Sequence, residues 1–122
     1  LSDLEKNIEI MRSQAQKYFN NLNPIIKEKI PKFASNYDVN TYWHLPIKTD
    51  QIKIDLREFF FKNGIDSVGY GLPTCNTIFE KYKDINLPKT EKIKNLTIFL
   101  PLNAKFSSDT INYSIKILNR IN

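Results

Sequence analysis

The sequence predicts a single α+β domain, residues 1–122: a small antiparallel or mixed three-stranded sheet with helices packed on one face. Two patterns carry that expectation. Apolar residues recur at helical spacing at both ends of the chain. Between them lie three short runs rich in β-branched and aromatic residues, bounded by Pro, Gly and Asn. The elements follow in the order α-α-β-α-β-(α)-β-α, with no internal repeat or low-complexity tract, and such segments pack as layers around one core. With 122 residues, 41% of them hydrophobic, the chain can bury a core without a disulfide or metal staple.

Ser2-Asp3-Leu4-Glu5 has the form of a capping box, in which Ser and Glu side chains satisfy free N–H groups at a helix start. Leu4, Ile8, Met11, Ala15, Tyr18 and Leu22 then form one stripe of a long amphipathic helix reaching about residue 21. Asn20, Asn21, Asn23 and Pro24 stop it. Pro24 can open a shorter helix through residue 30, closed by Pro31, and a polar loop covers 32–41. Residues 42–48 read as a strand whose Pro46 places it at a sheet edge or a bulge. Asp50 is the expected N-cap of a helix over 51–62, burying Ile52, Leu56, Phe59 and Phe60, and Asn63-Gly64 supplies a left-handed stop. Strands are expected at 65–72 and 95–102. A short helix near 77–83 and a Leu87-Pro88 stretch leading into 90–94 separate them. Ser107 or Ser108 caps the last helix, which turns Ile111, Ile115 and Leu118 inward with Ile117 and Ile121 beside them.

The net charge of +5 comes from 18 basic and 13 acidic residues. The lysines are scattered, and only Arg12, Arg57 and Arg120 offer guanidinium groups, so no nucleic-acid partner is expected. A lone cysteine excludes an internal disulfide and favours a reducing, cytoplasmic setting. No run is long and apolar enough for a membrane span, and no signal peptide is visible. The start at Leu1 rather than Met is read as the start of a piece cut from a longer protein.

No self-contained active site emerges from the residues. His44 has no second His or Cys at metal-ligand spacing. Cys75 is the one candidate thiol nucleophile, although a free cysteine more often serves as a small hydrophobe. Asp50, Asp55, Glu58, Asp66, Glu80, Asp84 and Glu91 look like caps and solvated helix faces. Gly69-Tyr70-Gly71 lacks the pattern of a phosphate-binding loop.

Taken together, several stretches have a family likeness. W-H-L-P-I (43–47), F-F-F-K-N-G-I-D (59–66), V-G-Y-G-L-P (68–73), L-P-K-T-E (87–91), I-F-L-P-L (98–102) and S-S-D-T-I (107–111) occur in a set order and spacing. This resembles the C-terminal part of the DegT/DnrJ/EryC1/StrS family, pyridoxal-phosphate (PLP)-dependent aminotransferases acting on nucleotide-linked keto-sugars. The likeness covers nearly the whole chain, and residues 1–22 look like the long helix linking the large and small domains.

The resemblance implies the small domain of a fold type I PLP enzyme, closing over its substrate and not catalytic alone. The Schiff-base lysine and the cofactor would lie in a large N-terminal domain, which becomes the implied partner. The implied substrate is a nucleotide-sugar, used in cell-surface polysaccharide or sugar biosynthesis, and the parent is implied to be a homodimer. Carried over position by position, the substrate-binding residues are Tyr70, Cys75 and Asn76 in the pocket-facing loop, together with His44, which matches the family's strand histidine. The chain departs from the family where Gly69 stands in place of a common His, and again around Thr74 and Cys75. The second expectation is a stand-alone binding or oligomerisation module derived from this domain. Loss of the covering domain should leave apolar surface exposed and favour self-association.

Overall fold

A computed structural model describes residues 2–32, 40–50, 55–69 and 74–121. The elements are α1 (Ser2–Asn21), α2 (Pro24–Lys27), β1 (Leu45–Lys48), α3 (Leu56–Lys62), β2 (Val68–Gly69), α4 (Cys75–Ile78), a 3-10 turn (Glu80–Tyr82), α5 (Pro88–Asn95), β3 (Thr97–Leu100) and α6 (Ser108–Leu118). The α+β class is as expected, and the sheet is antiparallel. β3 pairs with β1 through Leu45↔Leu100 and Ile47↔Ile98, and with the two residues of β2 through Val68↔Phe99 and Gly69↔Ile98. β1 therefore lies at an edge, where Pro46 can lack an N–H at no cost to a central ladder.

The period of two along β1 and β3 sends Leu45, Ile47, Ile98 and Leu100 into the core. They join Ala15 and Tyr18 of α1, Leu56 and Phe60 of α3, and Ile111, Ile115 and Leu118 of α6 in one cluster. The inward face of α6 is the one expected. Its cap is Ser107, whose hydroxyl accepts from Thr110 N at 3.2 Å.

Only the C-terminal half of the α1 stripe is buried. Ala15, Tyr18 and Leu22 are inside, Met11 is partly covered, and Leu4 is 58% exposed. The stripe also misses Gln14, which is buried and bonded at both ends of its amide. Its Nε2 donates to Asn103 O at 2.8 Å, and its Oε1 accepts from Asn103 N at 3.1 Å. Asparagines tie the α1–α2 corner to the end of α6: Asn23 N donates to Asn119 Oδ1 at 2.7 Å, and Asn119 Nδ2 to Asn21 O at 2.8 Å.

Several boundaries differ from the expectation. The helix at 51–62 begins at Leu56 and its cap is Asp55, whose carboxylate accepts from Arg57 N at 2.9 Å and Glu58 N at 3.2 Å. Asp55 fits because its backbone is extended and its side chain stands two and three residues ahead of those free N–H groups; Ile52 lies outside the described residues. The expected helix at 77–83 is instead α4 followed by the 3-10 turn, and 88–95 is a full helix with Pro88 in its first turn. β1 starts at Leu45, where its ladder with β3 ends opposite Leu100, and Tyr42, with a left-handed φ of 51°, cannot belong to an extended strand. Gly64 has the expected left-handed stop, with φ 69°.

Candidate functional site

β2 runs antiparallel to β3, so the chain leaving Gly69 heads towards the Thr97 end of the sheet, where α5 enters β3. Tyr70 and residues 71–73 lie outside the described residues, as does the Cys75 side chain. The described part of the site begins at Thr74, which is 6% exposed. Its hydroxyl lies 3.1 Å from Glu91 Oε1 and also bonds to Asn76 Oδ1. Asn76 Nδ2 donates to Ile85 O at 3.0 Å, and Thr77 Oγ1 donates to Thr74 O at 2.8 Å. Glu91 Oε2 stands 3.8 Å from Lys94 Nζ.

This is a clasp. It closes the excursion 74–87 onto α5 through polar bonds, because that excursion has little apolar burial of its own: Ile78, Phe79, Tyr82 and Ile85 are all exposed. One sequence-based reading changes here, that of Glu91. Asn76 has both ends of its amide engaged within the chain, so it shapes the loop. Glu91, read from sequence as part of a solvated helix face, is the residue that holds Thr74. A capping-type Thr followed by Asn and Thr, with an acid beyond a Pro-started helix, was the available signal; spacing alone could not show that the two meet.

His44 stands elsewhere. On the sheet face turned away from the core, its ring lies 4.7 Å from that of Phe99 at an interplanar angle of 35°, and Trp43 meets it edge-on at 6.2 Å. Partial burial lowers the His44 pKa below its usual value, which favours the neutral ring on Phe99 near neutral pH. No hydrogen bond or ring contact described here links His44 to Thr74 or Asn76, so the sequence-named residues divide between two places.

At the Thr97 end, Lys48, Asp50, Lys92, Ile93, Leu96 and Thr97 enclose a cavity of about 150 Å³. Thr49 N donates to Leu96 O at 2.7 Å. Asp50 Oδ1 is buried with no hydrogen-bond partner. Among the described residues no cluster of three or more His, Cys, Asp or Glu side chains could hold a metal ion, and no helix is long and apolar enough to cross a membrane.

Compared with known proteins, the sequence matches no family model and no curated protein.

Proposed function

We propose that this chain is the small C-terminal domain of a PLP-dependent aminotransferase-like protein acting on nucleotide-linked keto-sugars. The observation that supports the reading is the clasp: Thr74, the residue directly after V-G-Y-G-L-P, meets Glu91, the last residue of L-P-K-T-E, so two of the segments behind the resemblance are neighbours. In this reading α1 is the interdomain helix, the sheet with β2 at one edge is the small-domain sheet of a fold type I enzyme, and 70–76 is the substrate-side loop. PLP would be held by the large domain and supplies the electron sink there; no residue of this chain is assigned to it.

What this chain contributes is position. Glu91 and Thr74 fix the C-terminal end of the loop, Asn76 fixes its turn against Ile85, and Tyr70 is the aromatic group offered to the substrate. The exposed Ile78, Phe79, Tyr82 and Ile85 suit a surface that another domain covers.

The coding sequence upstream of Leu1 tests the proposal. The expected result is an in-frame large domain with a Schiff-base lysine; an unrelated domain there overturns it.

A further inference from the structure

We propose that the outer face of the β1–β3 ladder binds single-stranded nucleic acid, with unpaired bases stacked on Trp43 and His44 and the sugar-phosphate chain following the lysines at the β1 edge.

The platform lies on one sheet face. Pro46 and Lys48 point away from the core, and Phe99 is paired with Pro46 on that side. The His44 ring rests 4.7 Å from Phe99, and Trp43 meets His44 edge-on with an interplanar angle of 82°. Phe99 is half-buried beneath them, whereas His44 is exposed and Trp43 is 78% exposed. Two ring faces are thus held at a corner and left open to solvent. Unpaired bases stack on exposed rings of this kind; a base inside a duplex is already stacked and offers no free face.

The edge of β1 is closed to an added peptide strand, which would need free N–H groups along it. Pro46 has none, and Lys48 N donates to Lys29 O at 2.9 Å. The same bond sets residues 27–32, K-E-K-I-P-K, alongside the ladder. Lysines that look scattered in sequence are gathered there by the fold. Lys27, Lys29, Lys32 and Lys48 stand along this edge, and Lys92 lines one small cavity with Lys48. Glu28 and Asp50 are the acids among them. Five lysines to two acids is a richer basic balance than the 18 to 13 of the whole chain, and it complements a polyanion. Aromatic rings bordered by a basic edge hold single strands through stacking and charge, without reading their sequence.

Fluorescence anisotropy of labelled oligouridylate and oligothymidylate with the 122-residue chain, repeated over a range of salt, tests this. Both should bind saturably and quench Trp43, and a duplex of the same length should compete weakly. Whichever strand binds more tightly names RNA or DNA as the partner, and either supports the proposal. Trp43→Ala should weaken binding about fivefold to a hundredfold, the loss of one stacked base. K27Q/K48Q should reduce the slope of log K against log salt by about 1.4, or about 0.7 per phosphate contact. Lys116→Gln, on the exposed side of α6, should leave that slope unchanged. All these side chains are exposed, so the core is untouched, and circular dichroism is the folding control. No saturable binding at low salt overturns the proposal. So does a duplex that binds as tightly as the single strands while Trp43→Ala has no effect, which leaves only non-specific charge. Uridine monophosphate quenching Trp43 as tightly as the oligouridylate assigns the face to mononucleotides. Trp43 emission that shifts with protein concentration alone assigns it to a second copy of the chain. Either of these also overturns the proposal.

Discussion

Tyr18 lies wholly inside the core, and its hydroxyl donates to Pro101 O at 3.2 Å. Burial raises its pKa to about 12, partly offset by a hydrogen bond with Ser114. The folded chain therefore holds this proton more tightly than the unfolded chain. That stabilisation is fully present below pH 10 and is lost as pH rises towards 12, on the order of 3 kcal/mol in all. Denaturant titrations at rising pH should show the loss, and Tyr18→Phe should remove most of it, at a cost of about 1 kcal/mol near neutrality. His44 has the opposite sign. Its lowered pKa means the unfolded chain takes the proton first, so stability falls modestly as pH drops below about 6.5. His44→Phe keeps a ring on Phe99 and should flatten that acid limb. The Tyr18 position was legible from the helical stripe. The pairing of Thr74 with Glu91 was not, because it joins residues whose neighbours in sequence carry no shared period.

At the scale of elements, local chemistry set most helix ends, and it set them where a side chain could reach a free N–H. Both Asp50 and Asp55 precede the apolar run of α3 and are cap-competent in sequence, so the choice needed the backbone. Asp55 bonds two first-turn N–H groups, and Asp55→Ala should lower stability by about 1 kcal/mol. Asp50, freed from that role, becomes the unpartnered acceptor of the cavity beside β1. The strand runs were visible as β-rich stretches, but their lengths were not. Tyr42 turns left-handed ahead of β1, a property that alternation cannot display.

Across the whole molecule, the core is legible in sequence and the surface is not. Most apolar residues assigned inward lie in the core cluster, because periodicity reports directly on which side is buried. Leu4, Trp43, Phe61, Phe79 and Ile93 remain outside, and no periodic rule says what an exposed apolar residue is for. Surface of this kind should drive association of the isolated chain. Sedimentation at rising concentration should show mass growing above 14.3 kDa, and a single monomer at every concentration would count against it. The central claim is that this domain closes over a nucleotide-linked keto-sugar. Its most direct test is transamination by the product of the whole coding sequence, assayed with PLP, glutamate and a UDP-4-keto-sugar. The account predicts turnover that drops at least severalfold in Thr74→Val, which unfastens the loop, while the bound PLP absorbance is kept. Absence of turnover in the PLP-loaded full-length protein across UDP-, dTDP- and GDP-linked keto-sugars would contradict it.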